Sequence, residues 1–287
     1  MRIGSEQHKE LFCRWFMDSH EKYEPVDLAW PELEEDALAR LRTIPFWSIA
    51  LQTEQNAGLM LTSYATTVSD SLIREAIALQ GYEEARHARM IGTLIDRYGL
   101  DAEIEEFSPK PTRRAFIDFG YKECIDSFIG FGAFRLAREA QYLPQNLIEL
   151  FRRVLSEEAR HIVFFVNWVA YDRAQRGRPW AAVQTPSVYW GYLRSFLGHF
   201  ELAGSAKRSV SKQAQLRPTE EVFGEFSVAR FIDACLKENE DDMAAFDPYL
   251  LRPVLVPRFA RILLGIARTS ERVRKPQRQP GVASPAA

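Results

Sequence analysis

The pentapeptide Glu-Glu-Ala-Arg-His occurs twice in this chain, at residues 83–87 and again at 157–161. Each copy lies in a long run with apolar residues at helical spacing. Glu84 and His87, like Glu158 and His161, therefore stand three apart on one helix face. A step of three residues turns an α-helix by about 300° and rises about 4.5 Å, so a carboxylate oxygen and an imidazole nitrogen can converge on one ion. Two copies suggest two metal ions. A lone Glu-x-x-His on a helix commonly marks a solvated face with an i,i+3 contact. Two identical copies, each in an apolar helix and each preceded by a helix with an inward acid, are poorly explained that way.

The elements that must position these residues are helical throughout, because no stretch of any length alternates with strand period. An N-terminal helix over 5–20 carries Leu11, Phe12, Trp15 and Phe16. Trp30-Pro31 opens a short helix over 32–43, which Ile44-Pro45 breaks. Residues 46–67 form the first long helix, with Glu54 as the charge in its first two thirds. Ser69 or Asp70 caps the next, which runs to Tyr98 and closes at Gly99. Glu54 lies 15 residues before Ser69 and Glu84 lies 15 after it, so an antiparallel hairpin brings the two carboxylates to one level. The polar stretch 100–112 is a crossover along the helices. A third long helix covers 113–140, and Tyr142-Leu143-Pro144 turns the chain into a fourth, with Pro144 at its first position. This helix continues through the second pentapeptide to Gln175 and stops at Gly177-Arg178-Pro179.

Further amphipathic segments follow at 186–208, 226–246 and 254–269, separated by Gln215–Pro218 and Phe246-Asp247-Pro248. The last combines Leu255, Phe259, Ile262, Leu263 and Ile266 with Arg258, Arg261 and Arg268. It suits packing on the other helices or on a second subunit, as in a homodimer, better than a membrane surface. From Glu271 the tail has the composition of a disordered segment. The expected organisation is an N-terminal arm (1–45), a helical core (46–175), C-terminal helices packed on it (176–270) and the tail (271–287).

Composition narrows the class. Apolar residues make up 46% and charged residues 26% of 287, with a formal net charge of −2. Acids and bases are interleaved, so no nucleic-acid surface is encoded. Cys13, Cys124 and Cys235 are far apart and odd in number, which excludes a disulfide framework or a Cys-x-x-Cys metal site. The polar N-terminus and the lack of a transmembrane segment make a cytoplasmic protein the expectation. His8, His20 and His199 read as surface or satisfied core histidines, and the phenylalanine rows at 116–134 and 164–165 as core that also walls the site.

The order Glu, Glu-x-x-His, Glu, Glu-x-x-His on successive helices resembles the ferritin-like di-iron carboxylate superfamily over residues 46–175. The resemblance implies a ferritin-like four-helix bundle with additional N- and C-terminal helices, and Glu54, Glu84, His87, Glu158 and His161 as metal ligands. The acid from the third helix is open between two residues. Asp126, 32 residues before Glu158, matches the symmetric count around the turn, whereas Glu123, 35 before it, has the longer side chain such centres use and is favoured if the helix is bulged. Asp126 would then stand behind it as an outer acceptor. Glu139 lies too close to the turn. In related centres the acid preceding each ligand glutamate accepts a hydrogen bond from the opposite histidine. Carried over, Glu157 orients His87 and Glu83 orients His161, while Arg86 and Arg160 balance these buried acids.

Four carboxylates and two histidines suit iron or manganese better than zinc or copper, and their charge balances two divalent ions. The resemblance therefore implies two iron ions, with Mn/Fe as the other pairing, O2 as co-substrate and an electron donor or reductase as partner. The arginine before each histidine is similar to the oxygen-activating branch, which includes monooxygenase hydroxylases and acyl-ACP desaturases. The expected activity is a di-iron oxidase or oxygenase that hydroxylates, N-oxygenates, desaturates or cleaves a small organic substrate, with no catalytic groups beyond the metal ligands. Two alternatives are iron or peroxide handling, as in ferritins and rubrerythrins, and a non-enzymatic helical scaffold.

Overall fold

Helix capping and a few close helix contacts account for the frame that holds the repeated pentapeptides. The computed structural model describes residues 1–44, 46–177 and 227–274, and every regular element among them is helical. These are α1 (Glu6–Asp18), α2 (Glu35–Arg42), α3 (Trp47–Ala65), α4 (Ser71–Tyr98), α5 (Arg113–Ala140), α6 (Gln145–Leu150), α7 (Arg152–Gln175), α8 (Val228–Ala244) and α9 (Leu255–Arg274), with a 3-10 turn at Pro25–Asp27. The side chains of Ser5, Asp70, Thr112 and Ser227 each accept the backbone N–H three residues on, which satisfies a donor that a helix start otherwise leaves unpaired. Gly99 ends α4 at φ +59°, a left-handed conformation that glycine adopts without a Cβ clash.

Helices α3 and α4 form a tight hairpin. A Cβ on Gly81 would lie 2.9 Å from the Thr62 nitrogen, and one on Gly58 would lie 3.1 Å from that of Ala85. Small residues thus let the two backbones approach just beside the first pentapeptide. Residues 100–112 then return along α3, where the Glu103 N–H donates to Ser48 Oγ at 3.1 Å, and deliver the chain to the far end of the hairpin. There Phe116 of α5 stacks on Tyr64 of α3 with centroids 4.8 Å apart. Helix α7 runs antiparallel to α5, its Asp172 accepting from Arg113 Nε at 2.8 Å. Helix α8 packs along α5 at Gly132, where a Cβ would meet Cys235 Sγ at 2.2 Å. Buried Glu238 fastens α8 by accepting from Arg135 at 3.0 Å.

The expected fourth helix is two helices. Phe151 donates to the Ile148 carbonyl at 3.0 Å, a three-residue closure that tightens the last turn of α6, while its own carbonyl accepts from Leu155 to start α7. The Phe151 ring meets Trp30 edge-on at 6.2 Å. Pro144 lies just before α6 rather than inside it, with its carbonyl accepting from Leu147 at 3.0 Å. Helix α2 begins at Glu35 rather than at 32, and α9 runs to Arg274, into the stretch expected to be disordered. The segment expected to be helical at 186–208 with its His199, the breaks at Pro179 and Gln215–Pro218, and the tail from 275 lie outside the described residues. No helix among the described residues is long and apolar enough to cross a membrane.

Among the described residues a small apolar cluster of Phe128, Cys235 and Ala260 joins α5 to α8 and α9, and two larger ones fill the rest of the interior. One gathers Phe12, Phe16, Leu61, Ile77, Phe116 and Phe164, and the other Trp30, Leu51, Met90, Ile91, Leu94 and Leu147. On α4 the first cluster ends at Leu79 and the second begins at Ala88. The buried polar residues Gln80, Glu83, Glu84, Arg86 and His87 occupy the gap between them.

His8 is a satisfied core histidine. Its Nδ1 accepts from the Gly4 N–H at 3.2 Å, and its Nε2 lies 2.9 Å from Asn167 Oδ1. Asn167 in turn joins α7 to Leu251 in both directions, at 2.9 and 3.0 Å. Burial lowers the imidazole's pKa from 6.5, so the folded chain holds it neutral. A depressed native pKa contributes stability above the unfolded value that is lost as pH falls through it. Urea titrations should therefore show stability declining below about pH 6.5. His8→Ala, which deletes two buried hydrogen bonds and their packing, should cost about 2–3 kcal/mol and flatten that slope.

Candidate metal centre

The two pentapeptides meet where α4 and α7 face each other. His87 Nδ1 lies 3.1 Å from Glu158 Oε1, 3.4 Å from Glu54 Oε2 and 3.7 Å from Glu84 Oε2. His161 Nδ1 lies 3.0 Å from Glu84 Oε1 and 3.8 Å from Glu158 Oε2. Glu84 and Glu158 thus each direct one oxygen to either histidine. Ligand atoms of Glu54, Glu84, His87 and Glu158 all lie within 4.8 Å of one another, a group able to hold a metal ion. The His87 and His161 rings stand 5.6 Å apart.

His161 Nδ1 and Glu84 Oε1, though 3.0 Å apart, and His87 Nδ1, 3.1 Å from Glu158 Oε1, lack a well-directed hydrogen bond among the described residues. Leaving such groups unsatisfied is costly. They converge on one pocket together with carboxylates, so the donor set fits hard divalent cations. Glu123, from α5, lies outside the group of four. It is nonetheless buried, and burial followed by the neighbouring charges of Glu158 and Glu84 raises its pKa well above the usual range. Asp126 instead forms an ion pair with Lys122, one turn earlier on its own helix. Of the two α5 acids, Glu123 faces the carboxylates.

The outer acids cross over. Glu157 Oε2 lies 2.8 Å from His87 Nε2, and Glu83 Oε2 lies 2.8 Å from His161 Nε2. Arg86 Nη2 donates to Glu157, and Arg160 Nη1 donates to Glu83 at 2.9 Å. Each histidine therefore has its Nε2 engaged by an acid from the opposite helix, which leaves Nδ1 directed to the pocket. The tight Glu83 environment holds that carboxyl below its ordinary range. Burial opposes this, but His161 and Arg160 outweigh it.

Several contacts had no signal in the sequence. The segment joining α1 to the 3-10 turn lies over the α4–α7 seam and supplies His20, whose Nδ1 is 2.6 Å from Glu83 Oε1, and Tyr23, whose hydroxyl donates to Glu157 Oε2 at 3.2 Å. His20 is a satisfied histidine, but one attached to the site. Ser127 Oγ donates to Glu158 Oε2 at 3.3 Å. Gln80, one turn before Glu84, is buried, and its Oε1 has no partner among the described residues. The cover is one-sided: both histidine side chains are fully buried, whereas Glu54 retains 20% of its side-chain surface. No protein-family model, curated protein or solved structure matches the chain.

In the metal-free chain protons take the place of cations. Burial pushes the Glu54 carboxyl up to about 8 against the pull of His87, with Glu84 and Glu158 adding to the rise. His161 is held at about 10: burial opposes its charge, but Glu84 and Glu83 prevail. His87 is likewise raised by the carboxylates of Glu157, Glu158, Glu54 and Glu84, against burial. A cation must displace these protons. Binding of Mn(II) should release protons at pH 7, and apparent affinity should climb steadily between pH 6 and 8. Calorimetry in buffers of different ionisation enthalpy reads both. Proton release near zero would mean that the ion binds elsewhere.

Proposed function

We propose that the chain is a ferritin-like di-iron carboxylate protein of the oxygen-activating kind, with α3, α4, α5 and α7 as its four-helix bundle. The observation that carries the reading is the shared position of Glu84 and Glu158. Each reaches both histidines, so two ions could be held side by side rather than at separate half-sites. Glu54 with His87 would complete one position, and Glu123 with His161 the other. When bound, a pair of ferrous ions supplies two electrons jointly to O2, and a small organic substrate is the proposed acceptor of the oxidising equivalents.

The protein's own contribution is positional. Glu157 and Glu83 set the histidine tautomers, with Nε2–H donating outward and Nδ1 free for a ligand bond. The aromatic wall of Phe16 and Phe164, whose centroids are 4.9 Å apart, keeps water from the histidine side. Substrate and O2 are assigned to the Glu54 side, where the exposure lies. Electrons would come from a separate reductase.

The test is anaerobic titration with Fe(II) followed by O2. About two irons per chain should bind, and O2 should oxidise them with a transient optical band. Uptake of many irons per chain would assign the protein to storage, and no uptake would leave a helical scaffold.

A further inference from the structure

The two pentapeptides form a pseudo-symmetric pair, but one unrepeated segment, residues 16–23, serves both halves. At the first outer acid, Glu83 is met by His161, by Arg160 and by His20. At the second, Glu157 is met by His87, by Arg86 and by Tyr23. The arginines also read the segment's backbone. Arg86 Nη1 donates to the Glu21 carbonyl at 2.8 Å, and Arg160 Nη2 donates to that of Phe16 at 2.6 Å. Arg160 Nε donates to Ser19 Oγ at 2.9 Å. The Arg86 guanidinium lies over the Tyr23 ring at 4.0 Å. Surface contacts fasten the segment: Glu21 to Arg153 at 2.7 Å, and Glu24 to Tyr82 at 2.7 Å.

From this wiring we infer that residues 16–23 are a positioning element of the metal centre, with His20 and Tyr23 as its two positioning residues. Seating of the segment and retention of metal are then coupled. Each outer carboxylate has two oxygens shared among three donors. Removing the segment's donor leaves one donor on each oxygen, which loosens the carboxylate and with it the imidazole whose Nδ1 must point at the ion. Reciprocity follows: what tightens metal binding by docking the segment must itself be tightened by metal. The inference rests on the metal-centre reading, and it adds two residues, His20 and Tyr23, that reach the proposed ligands through Glu83 and Glu157.

Wild type, Tyr23→Phe, His20→Ala and His20→Asn are to be compared using Fe(II) under anaerobic conditions. Tyr23→Phe keeps the ring over Arg86 and removes only the hydroxyl. Affinity should fall in Tyr23→Phe and His20→Ala by a few-fold up to about 10-fold, the low end of the range for direct partners of metal-bound histidines, because these donors act through Glu157 and Glu83, with partial recovery in His20→Asn, whose amide can still donate. Hydrogen exchange of wild type should show residues 16–24 slowing on Fe(II) addition, and less so in Tyr23→Phe. A merely structural segment would lower thermal stability in the variants, yet leave their Fe(II) affinity and the metal-dependent protection unchanged, and that result overturns the inference. If wild type itself takes up no Fe(II), the metal-centre reading fails instead, so the two failures are distinguishable.

Discussion

Glu84→Ala is expected to lose both metal ions, whereas Glu54→Ala is expected to lose one. The difference follows from where their oxygens lie. Glu84 Oε1 is 3.0 Å from His161 Nδ1, and its Oε2 is 3.7 Å from His87 Nδ1, so one residue would contribute to both positions of the proposed pair. Glu54 Oε2 lies 3.4 Å from His87 Nδ1 and serves only that side. Affinity in Glu84→Ala should fall by more than about 100-fold, the upper range for loss of an outer partner, at both positions together. Glu54→Ala should retain an ion held by Glu84, Glu158, Glu123 and His161. Metal analysis after gel filtration, with and without excess Mn(II), reads the two stoichiometries. Equal losses in the two variants would refute the shared-carboxylate arrangement. Folding should survive either change. Against burial, the two imidazoles hold the Glu84 carboxyl below its ordinary range, so alanine also costs metal-free stability near neutral pH, and metal is counted on the folded fraction that gel filtration recovers.

Local order along the chain carried most of the frame. The third long helix has the bounds its pattern indicated, and α3 and α4 begin and end within two residues of theirs, because Pro, Gly and capping residues mark those ends. Counting outward from Ser69 brought Glu54 and Glu84 to one level for the same reason: an uninterrupted helix converts sequence distance into height. That conversion fails where a helix breaks without a breaker. Nothing about Phe151 as a residue type announces the junction of α6 and α7; its ring is claimed by Trp30, more than a hundred positions away in sequence. The choice between Glu123 and Asp126 was likewise open to counting. In the structure Asp126 pairs with Lys122 on its own helix, a contact that counting along the chain does not weigh. Least legible was the segment 16–23. His20 and Tyr23 are separated from Glu83 and Glu157 by 63 and 134 positions, and neither carries a motif. Their contacts depend on how α1 lies across α4 and α7, which is a property of packing alone.

Arg86 is where stability and the proposed chemistry bear on the same atoms. It is the largest fully buried side chain among the described residues, and its guanidinium contacts Glu157, the Glu21 carbonyl and the Tyr23 ring. Arg86→Met keeps much of the volume but leaves Glu157 as a buried carboxylate with His87 and Tyr23 as its donors. Losing one member of a buried ion pair typically costs about 3–5 kcal/mol. In the metal-free chain His87 can offset part of that loss, because its raised pKa lets it carry a proton and a positive charge beside Glu157. A bound cation removes that option, since its ligand bond needs the same Nδ1. The variant should therefore lose about 3 kcal/mol of metal-free stability, near the lower end of that range, and also bind Mn(II) more weakly than wild type. Adding Glu157→Gln removes the stranded charge while keeping an oxygen for His87 Nε2–H to donate to. Stability in the double variant should return most of the way, giving a large coupling energy between the two positions. Paired denaturation curves with and without Mn(II) measure each arm. Additive losses would show that Arg86 acts through its packing rather than by compensating Glu157.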